Sequence, residues 1–392
     1  MLKPQYIVGS LAVLLLTTGF ISSLLQPDET LVAAYSWSNP KHSIFNPTFS
    51  HSGHELAFVQ QLHIPDGHEA EEREGVAQQR LARVATQQRL ADPVVSLLKL
   101  SSKQVLRVDY GWNPSFSPDD NLLVYSFQQV PLSGKRVLAE TLAGNFIKLY
   151  RRNTKQYQTL AVPVNGFLLE PIFVSAATLY YKIGAAVNGA FGGAVGLRQY
   201  NLLSKRDSMV YTPRKSFGNA HLIGEIFPTS HGADYLVWLP QDKGFGYMAN
   251  EYAVELRARH TLLYSFGKLK FKNLTDKVAI AADGDIIYLD DQHELRSQKN
   301  YLVRYQGKRV AFRKTLDADY QGAYLSPDGG HVLICPYDGK PYLLNTSTLT
   351  RTTLALPARE IYSAVWSSTS KQLAVIQDDG TQDTDVVSVF TM

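Results

Sequence analysis

The stretch Leu325-Ser326-Pro327-Asp328-Gly329-Gly330-His331-Val332-Leu333-Ile334 is a tight turn followed by an apolar strand. Pro presets its backbone, Asp bonds back to local amides, and Gly accepts a positive φ, so the turn joins two strands into a hairpin. Phe116-Ser117-Pro118-Asp119-Asp120-Asn121-Leu122-Leu123-Val124-Tyr125 repeats it, as do the stretches opening at Phe49 and Trp366. Weaker copies open at Phe173, Phe227 and Ile280. A second pair of short strands follows each hairpin, as in Phe146–Tyr150 with Tyr157–Leu160 and Tyr342–Asn345 with Arg351–Leu354. Four strands per unit and seven units predict an all-β, seven-bladed β-propeller over residues 30–392.

Composition agrees with that reading. Hydrophobic residues make up 45% and charged residues 19%, which fits a packed core and excludes a disordered chain. The 22 Tyr, 17 Phe and 27 Gly favour short strands joined by turns. A net charge of +4 is too weak to argue for nucleic acid. The single cysteine, Cys335, excludes an internal disulfide framework and a Cys-rich zinc site, and it reads as a small buried hydrophobe in a core strand.

The Phe-Ser-Pro-Asp and Leu-Ser-Pro-Asp-Gly turns, each followed by a Leu/Val/Ile strand, resemble TolB-type β-propeller repeats. The resemblance covers about residues 30–392 and implies a Gram-negative envelope protein working in the periplasm. TolB's own α/β domain has no room between Leu25 and Phe49, so the resemblance is to the repeat family and not to TolB's role.

Ile7–Leu25 carries no charge. As a helix it spans roughly 28 Å, about the thickness of a bilayer core. The expectation is a signal-anchor helix over 1–26, with a cleaved signal cut after Ala34 as the alternative. In both, the propeller lies outside the cytoplasm. The last unit has only three strands of its own, so Leu31–Trp37 is expected to supply its outer strand and close the ring. A cut after Ala34 would remove most of that strand, which favours retention. The closing strand places the anchor on the face that carries the outer hairpin turns. Those turns read as basic: Lys103; Arg151, Arg152 and Lys155; Lys205 and Arg206; Lys268 and Lys270; Lys308 and Arg309. Arg151, Arg152, Lys205 and Arg206 are the expected membrane-facing residues, set against their plain reading as solvated turns.

Insertions are expected on the opposite face. Residues 65–93 read as a helical insertion in blade 1, with Glu72, Arg80 and Arg83 as partner-binding candidates. Gly184–Gly196 reads as a mobile apolar loop carrying Phe191. Asp242–Met248 reads as a loop carrying Phe245 and Tyr247. Five of the ten His fall between His42 and His68, but the fold splits them, so no metal site is expected. Asp283-Gly284-Asp285 and Asp378-Asp379-Gly380 lack a full calcium ligand set. No catalytic constellation and no cofactor is read. The expected function is protein binding by a tethered scaffold; the alternative is an enzyme acting on glycan or peptide in the central channel.

Overall fold

The computed structural model describes residues 29–39, 42–62, 93–128, 145–160, 167–187, 190–211, 222–229, 232–240, 251–258, 261–270, 278–280, 285–292, 299–306, 309–316, 320–357, 359–378 and 384–392. Two short strands come first, β1 (Glu29–Leu31) and β2 (Tyr35–Ser38). Blade 1 is β3 (His42–Phe49), β4 (Glu55–Leu62), β5 (Val94–Lys99) and β6 (Gln104–Tyr110). Blade 2 is β7 (Trp112–Phe116), β8 (Leu122–Gln128), β9 (Asn145–Arg151) and β10 (Gln156–Leu160). Blade 3 is β11 (Phe167–Ser175), β12 (Thr178–Val187), β13 (Ala190–Asn201) and β14 (Arg206–Tyr211). Blade 4 is β15 (Leu222–Thr229), β16 (Gly232–Pro240), β17 (Glu251–Ala258) and β18 (Thr261–Lys270). Blade 5 is β19 (Val278–Ile280), β20 (Ile286–Gln292), β21 (Lys299–Gln306) and β22 (Arg309–Leu316). Blade 6 holds β23 (Tyr320–Leu325), β24 (His331–Pro336), β25 (Tyr342–Asn345) and β26 (Arg351–Leu354), and blade 7 holds β27 (Ile361–Trp366), β28 (Gln372–Asp378) and β29 (Asp385–Thr391).

Each blade is antiparallel, so its four strands fix two faces. Turns from the inner to the second strand and from the third to the outer strand share one side, called here the turn face. Second-to-third connections and blade crossings share the other, the connection face. Each of seven apolar clusters spans one blade interface. Val59, Val95 and Tyr125 join blades 1 and 2, for example, and Ile44, Phe58, Ile376 and Val389 join blades 7 and 1. Both sides of every blade are therefore buried, which is why the central strands read as apolar runs rather than as an alternation. The expected seven-bladed propeller is what the chain forms.

Closure differs from expectation in one respect. Blade 7 is completed by β2, antiparallel to β29 with Tyr35 opposite Val389 and Ser38 opposite Val386. Leu31 does not belong to that strand: β1 lies parallel to β26, with Leu31 opposite Leu354, and makes blade 6 five-stranded. The outer strand of blade 6 has only four residues, and β1 covers part of its exposed edge. Leu31 and Ala33 pack between blades 6 and 7. A cut after Ala34 would thus spare β2 and remove β1, not the closing strand. The ring is also pinned at Ile44, whose buried N–H donates to Asp385 Oδ2 at 2.7 Å.

Two further expectations are corrected. Gly184–Gly196 is not a loop, because β12 and β13 continue as a hairpin with Val187 opposite Ala190. The stretch contains no proline, so each residue keeps an N–H for the ladder, although its glycines and alanines are weak strand formers. Lys268 and Lys270 are not in an outer turn; they lie at the far end of β18, where Lys270 opposes Glu251 at the connection face. The segments 1–26 and 65–93, expected as helices, lie outside the described residues apart from Pro93. No described helix is long and apolar enough to cross a membrane.

Candidate functional site

The turn face is locked by a repeated device. In four blades a buried serine, Ser50, Ser117, Ser326 or Ser367, accepts at Oγ an N–H from the first residue of the second strand: Glu55 (3.1 Å), Leu122 (2.9 Å), His331 (2.9 Å) or Gln372 (3.0 Å). The residue three positions after each serine has a positive φ: Gly53 (71°), Asp120 (58°), Gly329 (68°) and Ser370 (59°). At Gly329 any side chain would also strike Ile287, since an added Cβ would collide with its Cδ1. Asp119 is held below the usual carboxylate range by the Ser117 hydroxyl and by Asn121. For Asp328 burial pulls upward, but hydrogen bonds from Ser326, Gly330 and Ser370 together outweigh it and lower the pKa.

Neighbouring turns clasp one another. The Asp120 carboxylate of blade 2 accepts the backbone N–H of His51 (2.6 Å) and Ser52 (2.9 Å) in blade 1. Arg152 pairs with Glu55 of blade 1, donates to the Asp120 carbonyl, and lies over the Phe116 ring at 5.5 Å. Deeper in the same seam, Asp109 of blade 1 takes the Tyr125 hydroxyl at 2.9 Å and the Lys148 ammonium at 2.8 Å. Burial, with the Asp109 charge beside it, pushes the Tyr125 phenol far upward. A stiff scaffold results, on which the inner strands are hung.

The inner strands carry the unusual feature. Inner strands slip in blades 4, 6 and 7 as well, but the distinctive slips are those of blades 1, 2 and 3, between Phe45 and Thr48, between Trp112 and Ser115, and between Leu169 and Ile172. A proline occupies each slip, Pro47, Pro114 and Pro171; having no N–H, it is tolerated at an inner edge with a bulge. The residue before each proline takes a left-handed conformation: Asn46 (φ 48°), Asn113 (φ 51°) and Glu170 (φ 46°). Proline ordinarily drives its predecessor towards extended backbone, and a glutamate in the left-handed region costs about 1–2 kcal/mol. The three prolines are buried while Asn46 and Glu170 are exposed and Asn113 is half-buried. The bulges thus bury the prolines between blades and turn the polar side chains towards the channel.

These groups form one arc. Asn46 Nδ2 donates to Asn113 Oδ1 across the blade boundary. Glu170 pairs with Lys182, whose side chain is only 5% exposed while the carboxylate side is 48% exposed. Phe45 and Trp112 flank the amides with ring centroids 6.5 Å apart. Asn46 and Asn113 sit four positions before the turn serines Ser50 and Ser117, and Glu170 five before Ser175, roughly 13–16 Å along the strand from the turn face, so the arc lies towards the other mouth. Two amides offer donors and acceptors, a carboxylate with a buried ammonium offers both charges, and two rings offer an apolar edge. Together they can hold a polar ligand or the tip of a partner.

Sequence reasoning missed this arc, although a signal was present. Asn46-Pro47-Thr48-Phe49, Asn113-Pro114-Ser115-Phe116 and Glu170-Pro171-Ile172-Phe173 are one pattern. Of the residues named from sequence, Glu72, Arg80, Arg83, Phe245 and Tyr247 lie outside the described residues. Phe191 lies in β13 opposite Ala186. Arg151, Lys205 and Arg206 are exposed at the turn face, whereas Arg152 is half-buried in the clasp described above. Among the described residues no group of three or more His, Cys, Asp or Glu is placed to hold a metal.

Fold and arc together define a closed seven-bladed propeller with a polar, bulged inner wall on three consecutive blades. Neither a family model nor a curated protein sequence matches the chain. Solved structures do. An oligogalacturonate lyase in complex with manganese is similar over 92% of this chain and 98% of its own, at 11% identity and a TM-score of 0.53. The β-propeller domain of the trilobed protease from Pyrococcus furiosus, described as having an open velcro topology, covers 91% and 94% at 12% identity and 0.53. The β-propeller domain of Cps50 (Swd1) from Myceliophteria thermophila covers 93% and 100% at 10% identity and 0.54. At these identities the likeness is one of fold alone.

Proposed function

We propose that this chain is a TolB-type propeller held to a membrane by residues 7–25, outside the cytoplasm, that binds a protein partner at its connection face. The observation that carries this reading is the arc of Asn46, Asn113 and Glu170. Three consecutive blades hold polar side chains in a strained conformation at one level, and strain kept at equivalent places points to a use. The connections that hold 65–93 and 242–248 leave second strands and return to third strands, so their flanking ends β4, β5, β16 and β17 meet the connection face. The path of the chain supports the orientation. Being parallel to the outer strand β26, β1 starts at the turn face, which leaves the connection face away from the tether.

The test is a photo-activated cross-linker at Tyr337, in the second-to-third connection of blade 6, compared with one at Thr348, in its outer turn. A discrete protein adduct from Tyr337 that fades with Asn46→Ala and Glu170→Ala is expected. Adducts from Thr348 alone, or a Tyr337 adduct indifferent to those changes, would overturn the reading. The half-exposed Glu170 beside Lys182 is the observation on the side of channel chemistry on glycan or peptide. In that case Glu170→Gln would abolish turnover while leaving capture intact.

A further inference from the structure

The outer turns of blades 1, 2 and 3 are one structure. Each ends in Ser or Thr followed by a lysine in the left-handed conformation: Lys103 (φ 57°), Lys155 (φ 55°) and Lys205 (φ 54°). Blade 6 has the same turn with Leu349 (φ 61°) at that position. Glycine or asparagine takes this conformation with little or no strain, and lysine does not. Three lysines at the position therefore serve something other than the turn. Lys155 and Lys205 are exposed, as are their neighbours Arg151 and Arg206, while Lys103 reaches over the Tyr35 ring at 5.1 Å.

Apolar side chains stand among these charges. Leu203, at the apex of the blade 3 turn, is 84% exposed. It is held there because Asn201 Oδ1 accepts the N–H of Leu203 (3.1 Å) and of Ser204 (2.8 Å). Leu262 and Leu263 beside the blade 4 turn and Val310 beside the blade 5 turn are also exposed. A presented leucine between lysines and arginines is the chemistry of an interfacial contact with anionic lipid. The chain's path brings lipid to it. Only Gln26, Pro27 and Asp28 separate the uncharged run 7–25 from β1, which enters from this face. Three extended residues span at most about 10 Å, close to the Debye length of about 8 Å at physiological salt.

We propose that the turn face seats on the anionic surface of the membrane that holds residues 7–25, with Lys155, Lys205, Arg151 and Arg206 at the headgroups and Leu203 entering the interface. This rests on the tether reading given above. Seating fixes the disc flat on the bilayer, so the arc of Asn46, Asn113 and Glu170 opens outward.

The full chain carrying Leu203→Cys is labelled with an environment-sensitive fluorophore and reconstituted into vesicles of phosphatidylcholine, alone or with phosphatidylglycerol. Cys335 is buried and stays unlabelled in the folded protein. The expected result is flotation with both vesicles, and a blue shift only with phosphatidylglycerol. The shift disappears in high salt and in a Lys155→Glu, Lys205→Glu, Arg206→Glu background that still floats. The same fluorophore at Tyr337→Cys, on the opposite face, does not shift. Each basic residue removed from the contact weakens it about fivefold, the equivalent of about 1 kcal/mol, and reversal to glutamate weakens it further. Flotation without a shift at residue 203, or an equal shift at 337, would overturn the seating and leave the tether standing. Failure to float at all would overturn the tether reading and the seating with it.

Discussion

Arg151 and Arg152 are adjacent and chemically identical, yet the structure gives them different work. Arg151 is exposed on the turn face, while Arg152 is half-buried between blades 1 and 2. Truncating Arg152 to Ala removes its ion pair with Glu55, its hydrogen bond to the Asp120 carbonyl and its packing over Phe116. The Glu55 side chain, 19% exposed, is then left without that cation. A charge-assisted hydrogen bond contributes about 1.5–3 kcal/mol and the ring contact about 0.5–1. The seam is partly open to water, which discounts both, so the expected cost is about 2–3 kcal/mol. Arg151→Ala should stay within about 0.5 kcal/mol of the parent. Urea unfolding followed by tryptophan fluorescence measures both, and a cycle with Glu55→Gln should return a coupling of about 1–2 kcal/mol. Equal, near-zero effects at the two arginines would refute the clasp, and with it the claim that Arg152 serves the fold rather than the surface.

Ser117→Ala and Ser326→Ala should each cost about 1–2 kcal/mol, since each leaves a strand amide without its hydroxyl acceptor; matched urea titrations will show it. Acid should loosen the turn face. The pKa values of Asp119 and Asp328 are lowered in the folded chain, so their stabilisation is complete above the unfolded value near 4 and is lost as pH falls through the folded values. Asp328→Asn should flatten that acid limb in a stability-versus-pH series, and an unchanged slope would contradict it. Burial pushes the Cys335 thiol up to about 12, so a thiol reagent at neutral pH should label it only at the rate of unfolding.

The blades were legible where a residue type does one job. Ser-Pro-Asp turns name themselves because the serine hydroxyl, the proline and the positive-φ residue are each required by the turn. Blades 3 and 4 read weakly because they use tighter turns, with Ser175 opposite Thr178 and Thr229 opposite Gly232, which demand no serine. The split of the N-terminal segment into β1 and β2 was hidden because Leu31–Trp37 reads as one strand-like run with no Gly or Pro to mark a break; only the short edge of β26 explains why its first part joins blade 6. The channel arc was half legible. Its Asn-Pro and Glu-Pro pairs stand three positions before Phe49, Phe116 and Phe173, but a proline in an inner strand looks like an interruption until the bulge shows where the preceding side chain goes.

Everything about orientation follows from how the N-terminal segment enters the ring, and paired cysteines read that directly. Ser36 and Ser388 are opposed across β2 and β29, where antiparallel partners lie about 4.5–5.5 Å apart, within reach of a disulfide. Mild oxidation of the full chain carrying Ser36→Cys and Ser388→Cys should give an intramolecular cross-link, while Ser36→Cys with Thr353→Cys on β26 should give none. A cross-link to residue 353 in place of 388, or none to either, would contradict the closure and the two faces built on it.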